Sequence, residues 1–296
     1  MSEKKSKVGA VLLADARKWF HREIVESGIL SIGKDGIASN SDKDNTPSCV
    51  IGAKIAKALD AGTGEKLPAQ TAGKVFEELV CKFLERTFPM LQHLRPGEWR
   101  IANLGNNNAI KTSSFIQYEH LAHLAKVLLA DRQLATMLGN DYVVAPDIIV
   151  SRMPCDDATI NGRDAIVNDA VSLKTDLRKR NNPLEIMHAS VSAKWTMRSD
   201  RAQNSRTEAL NLIRNRKGRV PHIVVVTGEP LPSRLSSLAL GTGDIDCMYH
   251  FALYELIEAV HEYGSNGRED IVELLDSMVE GKRLKDISDL PLDLAC

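Results

Sequence analysis

The amino-acid sequence predicts an α/β protein in which helices flank a central mixed β-sheet. Apolar residues recur with the period of a helix in three segments, residues 11–27, 70–88 and 117–138. Three further segments are typical of strands: short β-branched runs at 143–150 and 222–227, and a strictly alternating run at 188–195. Because strands and helices alternate in the second half of the chain, these elements favour one mixed sheet.

The N-terminal half contains the predicted helices and one long loop. Gly28 follows the first helix, at a position where glycine commonly ends a helix. Residues 31–48 are polar and predict a loop. In the second helix Glu77 lies at the edge of the apolar stripe, whereas Glu78 falls on the solvated side. A carboxylate at the edge of the stripe can reach a buried site, and a solvated one usually does not.

The C-terminal half contains the predicted strands. Pro146 marks the start of the first strand. In the alternating strand, Ser192 and Lys194 point to the same face, because residues two apart share a face. Residues 151–187 form a long, mostly polar connection, which indicates a functional or interface segment. The chain then continues with a helix over about 200–217, the strand 222–227, and a strand that leads into a helix over 246–263.

Composition indicates a globular protein. The chain has 296 residues, of which 43% are hydrophobic and 26% charged, so it is long enough for one large domain or two small ones. Its five cysteines are an odd number without metal-binding spacing, which favours reduced thiols and a cytoplasmic location. No run approaches the roughly 20 apolar residues of a membrane span, so we expect no membrane association.

Charge is distributed unevenly along the chain. The net charge of −1 does not by itself indicate a nucleic-acid-binding protein. Residues 194–219, however, contain eight lysines and arginines against the two acids Asp200 and Glu208. Such a local excess of positive charge is typical of a surface that contacts phosphates. The alternative is an ordinary solvated helix face.

Three elements together suggest phosphodiester hydrolysis. They are Asp147 after Pro146, the pair Ser192 and Lys194 on the alternating strand, and Glu208 on the following helix. Hydrolysis needs carboxylates to hold a divalent cation, and it benefits from a cationic side chain near the attacking water. An aspartate on one strand can supply a metal-binding carboxylate, and a lysine on the neighbouring strand can supply the cation. The paired strands hold both side chains in fixed positions. Taken singly, each residue has a more common structural explanation.

Several segments, in order, resemble the CCGG family of type II restriction endonucleases within the PD-(D/E)xK nuclease superfamily. The resemblance is carried by LPAQTAGKVFE (67–77), LQHLRPGEW (91–99), GNDYVVAPDIIV (139–150), SAKWTMRSDRAQNSRTEALNLIRNRKGR (192–219), KGRVPHIVVVT (217–227), PSRLSSLALGTGDIDC (232–247) and GKRLKDISDLPLDLA (281–295). It implies a restriction-endonuclease-like PD-(D/E)xK core, with residues 1–296 as a single restriction endonuclease domain. It also implies Mg²⁺-dependent double-strand cleavage of palindromic DNA that contains CCGG.

The resemblance also implies which residues act in catalysis. Ser192 stands where other PD-(D/E)xK nucleases have an acid, and the active-site glutamate has moved to the following helix. The metal is implied to be held by Asp147, Glu208 and the backbone carbonyl of Ala193. The implied catalytic residues are Glu77, Asp147, Ser192, Lys194 and Glu208.

Sequence recognition is implied for a second set of residues. Arg198, Asp200 and Arg201 are implied to read the central CCGG, because arginine donates two hydrogen bonds to guanine and an acid accepts one from cytosine. The alternative is that Asp200 caps the helix and the arginines lie on its surface. The residues implied to contact the outer base pair, giving GCCGGC cut after the first G, are Asp42, Gln70 and Arg234.

A palindromic site implies a symmetric oligomer. In the resembled enzymes two dimers pair into a tetramer, and residues 151–187 are the expected dimer–dimer contact. Two other functions are compatible with the residues alone: a less specific PD-(D/E)xK nuclease, and a catalytically inactive DNA-binding regulator. The arginine–aspartate–arginine cluster argues against the first, because non-specific nucleases need phosphate contacts rather than base readers. The intact Asp147, Lys194 and Glu208 argue against the second.

Overall fold

The strands of the sheet lie side by side in the order in which they occur in the chain. The computed structural model describes residues 11–105, 112–138, 146–241, 243–265 and 267–296, without the side chains of residues 132, 135 and 199–201. Within those residues the strands are β1 (Trp99–Asn103), β2 (Ile148–Arg152), β3 (Ile186–Lys194), β4 (His222–Thr227), β5 (Cys247–His250) and β6 (Leu284–Asp286).

The sheet is mixed, and β3 joins its two halves. β1, β2 and β3 pair antiparallel, whereas β3, β4, β5 and β6 pair parallel. Ile148 at the start of β2 pairs with Val191, and Lys194 at the end of β3 pairs with Thr227 at the end of β4. The start of β2 and the ends of β3 and β4 therefore meet at one edge of the sheet. The predicted α/β class with a central mixed sheet is confirmed.

Helices cover the sheet. They are α1 (Leu12–Glu26), α2 (Thr46–Ala58), α3 (Ala69–Thr87), α4 (His120–Ala130), α5 (Arg132–Leu138), α6 (Asp157–Asn161), α7 (Ser199–Asn215), α8 (Pro232–Ala239), α9 (Leu253–Gly264), α10 (Glu269–Glu280) and α11 (Leu290–Asp293). Short 3-10 turns span Phe88–Leu91 and Ile116–Tyr118. Helix α1 ends as expected: Gly28 has a φ of 75°, and its N–H donates to the carbonyl of Val25.

Helix α3 packs against the central strand through its apolar stripe. The ring of Phe76 is fully buried and lies 5.1 Å from the ring of Trp195, which directly follows β3. On the same stripe Phe83 contacts Phe20 of α1, with ring centroids 5.3 Å apart. Because these aromatic contacts clamp α3 between α1 and β3, the side chains at the edge of the stripe have defined positions beside the sheet.

The structure differs from the sequence expectations at two elements. The single helix expected over 117–138 is two helices, because Asp131 adopts an extended backbone and its carboxylate accepts the N–H of Leu134 at 3.0 Å. The strand expected over 143–150 begins at Ile148 in the described residues and continues to Arg152, while residues 143–145 lie outside them. Strand β2 therefore extends into the segment expected to be a connection.

The connection between β2 and β3 is organised around one arginine. The guanidinium of Arg178 is fully buried and donates to both carboxylate oxygens of Asp157, at 2.6 and 2.7 Å. It also donates to the carbonyls of Val171 and Asn168. The apolar side chains that this connection exposes are Ile166, Val171 and Leu173.

Within the described part of the chain, no helix combines the length and the apolar composition that a bilayer span requires.

We expect Phe76→Ala to lower the free energy of unfolding by about 3–5 kcal/mol, because it removes a fully buried ring that packs on Trp195. Chemical denaturation followed by circular dichroism measures this loss. Leu129→Ala on α4 is the control: its side chain is exposed, so the change should stay within about 0.5 kcal/mol. Equal effects of the two substitutions would contradict the packing described for α3.

Candidate active site

Asp147 and the end of β3 form the centre of the candidate site. Asp147 directly precedes β2, and β2 runs antiparallel to β3, so its carboxylate lies beside the last residues of β3. One oxygen, Oδ2, accepts hydrogen bonds from Nζ of Lys194 at 2.7 Å, the N–H of Ala193 at 3.0 Å and Oγ of Ser192 at 3.3 Å. Lys194 and Ser192 thus face the same carboxylate, as their spacing on the strand predicts.

Glu208 approaches this centre from α7. The helix buries Ala202, Ala209 and Leu212, and Glu208 is half-buried beside that apolar face. The hydroxyl of Ser192 also hydrogen-bonds to Glu208, so it lies between two carboxylates. Burial raises the pKa of Glu208 to about 7, although the ammonium of Lys194 acts in the opposite direction.

Glu77 reaches the site from α3. It is half-buried while its neighbour Glu78 is exposed, as the helical pattern predicts. Burial and the nearby Asp147 raise the pKa of Glu77 to about 7, and a hydrogen bond from Asn103 at the end of β1 opposes the shift. Three carboxylates from three elements therefore lie within electrostatic range of one another.

Lys194 is surrounded by these carboxylates. Burial alone would lower the pKa of its ammonium, but Asp147, Glu208 and Glu77 together outweigh burial and raise it. The side chains of Lys194 and Asp147 remain only 18% and 14% exposed. The lysine is consequently a fixed, protonated cation at the edge of the sheet.

The oxygen donors of this site fit a hard divalent cation. In the described residues, no three acidic, histidine or cysteine side chains converge closely enough to form a ready-made metal cage. Magnesium does not require one, because it usually keeps several waters and binds one or two carboxylates. The carboxylates of Asp147 and Glu208 both hydrogen-bond to the hydroxyl of Ser192, so both lie next to residue 193. The expected donor set of Asp147, Glu208 and the Ala193 carbonyl is compatible with such an ion.

A second group of predicted residues surrounds Arg198, which stands four residues after Lys194 in the chain. Arg198 is exposed and occupies the N-cap position of α7. Together with Asp42 and Arg234 it lines a cavity of about 100 Å³. The guanidinium of Arg234 donates to the carboxylate of Asp42. Gln70 is exposed on the first turn of α3, next to Ala69, which lines the same cavity.

Asp200 and Arg201 lie on the first turn of α7, and their side chains are outside the described residues. Because Arg198 occupies the N-cap position, Asp200 is not the capping residue that the alternative explanation required. The backbone therefore presents all three predicted readers of CCGG at the N-terminal end of one helix.

Residues that sequence reasoning missed lie at the same edge. Asn103, which contacts Glu77, belongs to a strand that had not been predicted. Lys66 lines the cavity beside Arg198 and Asp42, but it stands in a loop without periodicity. Glu229 is fully buried between the two groups, and an acid in the loop GEPLP has no pattern that distinguishes it. Only its burial in the folded chain makes it notable.

A six-stranded mixed sheet flanked by helices, with an acid and a lysine on adjacent strand ends, defines a restriction-endonuclease-like nuclease fold. Comparison with known proteins then identifies the family. The model of the NgoMIV restriction enzyme family matches residues 20–296, and the chain belongs to this family. The chain is 49% identical over 285 residues to the type II restriction enzyme NgoMIV of Neisseria gonorrhoeae. The aligned residues make up 96% of this chain and 99% of that relative.

The resemblance drawn from the sequence is therefore confirmed, and the protein is a type II restriction endonuclease, a site-specific deoxyribonuclease. Such an enzyme acts on double-stranded DNA. Type II restriction enzymes generally use Mg²⁺. Family membership speaks against the inactive regulator and the less specific nuclease as alternatives.

We expect Lys194→Ala and Asp147→Ala to reduce DNA cleavage by about a thousandfold or more, because each removes one partner of the central contact. Single-turnover cleavage of plasmid DNA with Mg²⁺ measures the rate. Lys194→Ala should still bind its DNA site, because the predicted base contacts lie elsewhere. Lys54→Ala is the control, since that lysine pairs with Glu262 away from the site. Near wild-type cleavage by Lys194→Ala would show that the assignment is wrong.

Proposed function

We propose that this enzyme cleaves GCCGGC after the first G in an Mg²⁺-dependent reaction. The observation that carries the proposal is the short distance along the chain between two groups of residues. Lys194, which contacts Asp147, is the last residue of β3. Four residues later, Arg198 is the N-cap residue of the helix that carries the predicted base readers. One rigid segment thus links the hydrolytic centre to sequence recognition.

The proposed catalytic roles follow from the contacts. In hydrolysis the oxygen of a water bonds to phosphorus, the bond to the departing oxygen breaks, and that oxygen takes up a proton. Mg²⁺, when bound, activates the water and stabilises the departing oxygen. Asp147, Glu208 and the carbonyl of Ala193 would hold the ion. Lys194 keeps its positive charge beside the attacking water and the scissile phosphate.

The remaining two residues tune this centre. Ser192 orients the carboxylates of Asp147 and Glu208 through its hydroxyl. Glu77 adds a third carboxylate near Lys194, and its position on the clamped helix α3 keeps it at the edge of the site. Ser192 is buried and Glu77 is half-buried, so solvent screens their contacts less than it would at an exposed surface.

The proposed recognition residues divide the site into an inner and an outer part. Arg198, Asp200 and Arg201 read CCGG from the N-terminal end of α7. Arg234, with Asp42 and Gln70, reads the outer base pair. The ion pair of Arg234 with Asp42 supports a shared role, because the carboxylate fixes the guanidinium while both side chains remain partly exposed. Bidentate donation by a fixed guanidinium suits guanine.

The enzyme is proposed to act as a dimer of dimers. A palindrome is read by a two-fold dimer, in which each chain supplies one half-site and one active site. The dimer–dimer contact is assigned to residues 151–187, whose exposed Ile166, Val171 and Leu173 are held in one ordered connection by Arg178. Several large apolar side chains exposed on one connection are compatible with a protein–protein contact.

We assign residues 1–296 to one restriction endonuclease domain that works in the cytoplasm. All five cysteines are free thiols, which is consistent with a reducing compartment.

Arg234→Ala should lose discrimination at the outer base pair and keep its preference for CCGG, because one bidentate base contact contributes about 1–3 kcal/mol per half-site. Competition binding among duplexes with GCCGGC, ACCGGT and GCATGC measures both parts. Arg201→Ala is the paired variant and should lose the preference for GCCGGC over GCATGC. The division of roles fails if Arg234→Ala rejects ACCGGT as strongly as the wild type does.

A dimer of dimers should cleave a plasmid with two sites faster than a plasmid with one. Sedimentation of the enzyme with and without a GCCGGC duplex measures the assembly directly, and Ile166→Asp should reduce the tetramer to a dimer by placing a charge in the contact. A monomer on DNA, or equal rates on both plasmids, would contradict the assembly.

A further inference from the structure

Glu229 is a fully buried acid in the loop between β4 and α8, outside the catalytic group. Its two carboxylate oxygens have different partners. Oε2 accepts the N–H of Met197 at 2.9 Å and lies 3.7 Å from a guanidinium nitrogen of Arg234. Oε1 accepts the N–H of Leu231 at 3.2 Å. One side chain therefore holds two backbone segments and one arginine.

These two segments carry the proposed base readers. Met197 directly precedes Arg198, the N-cap residue of α7. Leu231 is the N-cap residue of α8, and Arg234 lies in the first turn of that helix. Because β3 and β4 are parallel and end together, the two segments leave the sheet at the same edge. The carboxylate of Glu229 spans the gap between them.

The two segments are also packed tightly at their start. The N–H of Gly228 donates to the carbonyl of Trp195 at 3.2 Å. A Cβ atom at position 228 would lie 2.4 Å from the Trp195 ring, so only glycine allows this approach. The carbonyl of Gly228 in turn accepts a hydrogen bond from the side chain of Asn40, two residues before Asp42. Three regions that carry recognition residues, those of Asp42, Arg198 and Arg234, thus contact the turn that bears Glu229.

A carboxylate is chemically required at this position. Both N–H groups point at the side chain, so each of its terminal atoms must accept a hydrogen bond. A glutamine would direct its amide donor at one of the two N–H groups. Burial raises the pKa of Glu229 to about 7, although the Met197 N–H and the Arg234 guanidinium act in the opposite direction. A buried acid is costly, and simple packing of the loop does not need one.

We propose that Glu229 is a positioning residue for sequence specificity, which sets the location of Arg234 relative to the helix that begins at Arg198. It touches no DNA itself, because its side chain is fully buried. The proposal rests on the assignment of Arg234 to the outer base pair. The carboxylate of Glu229 then sets the distance between Arg198, which reads the central CCGG, and Arg234, which reads the outer base pair.

The test is a double-mutant cycle read out as discrimination between GCCGGC and ACCGGT. The measured quantity is the cleavage rate on GCCGGC divided by the rate on ACCGGT. Glu229→Gln should lower this ratio by about tenfold, because one hydrogen bond to a charged group is lost and Arg234 is no longer held. In the Arg234→Ala background, Glu229→Gln should lower that ratio no further. A purely structural residue would lower stability alike in both backgrounds and leave this coupling at zero.

Glu255→Gln is the matched control, because Glu255 is a largely buried acid whose carboxylate accepts hydrogen bonds from Arg17 of α1 rather than from a recognition segment. It should leave the ratio unchanged at a temperature where each variant is folded by circular dichroism. If Glu229→Gln does not fold, Glu229→Asp takes its place, since the shorter side chain keeps the charge but no longer spans both N–H groups.

The outcomes separate this proposal from the one on which it rests. If Arg234→Ala leaves outer-pair discrimination intact, the assignment of Arg234 is wrong. If Arg234→Ala lowers the ratio and Glu229→Gln does not, Glu229 has no positioning role. The proposal would also be overturned if Glu255→Gln lowered the ratio as much as Glu229→Gln does. It would be overturned as well if the effects of Glu229→Gln and Arg234→Ala on the ratio were additive in the double variant.

Discussion

The site depends on one oxygen atom, Oδ2 of Asp147, which accepts hydrogen bonds from Lys194, Ala193 and Ser192. This contact requires β2 and β3 to be antiparallel and in their observed register, because Asp147 precedes one strand and its partners end the other. The loop that bears Glu229 leaves from the same edge because β4 runs parallel to β3. The mixed sheet is therefore a condition for the chemistry as well as a support for it.

The short segment from Trp195 to Arg198 joins the candidate catalytic residues to the helix that carries the proposed base readers. It directly follows Lys194 and ends at the N-cap residue of α7. Trp195 is buried between Phe76 of α3 and Phe251, with ring centroids 5.1 and 5.2 Å away. A segment held at its start by packed rings and at its end by Glu229 has little freedom to bend.

Periodicity and local chemistry predicted most of the elements that surround the site. The alternation in β3 predicted that Ser192 and Lys194 face one way, and the amphipathic pattern of α3 separated Glu77 from Glu78. The break at Asp131 was missed because one side-chain hydrogen bond overrode a continuous apolar pattern. Asn103 and Glu229 were missed for another reason. Asn103 contacts Glu77 and Glu229 contacts Met197, and both partners are distant in sequence. No local pattern records a contact of that kind.

The connection between β2 and β3 has a further consequence for how such enzymes diversify. The guanidinium of Arg178 binds groups between Asp157 and Val171, all within 21 residues of it. The part of the connection from Asp157 to Arg178 is thus held together by its own contacts, whereas Glu185 at the end of the connection bonds to Arg100 of β1 and Ser151 of β2. Changes of length or sequence between Asp157 and Arg178 therefore leave the contacts of Glu185 with the strands in place. Substitutions in this part of the connection can consequently accumulate while the strands that carry the candidate site keep their contacts.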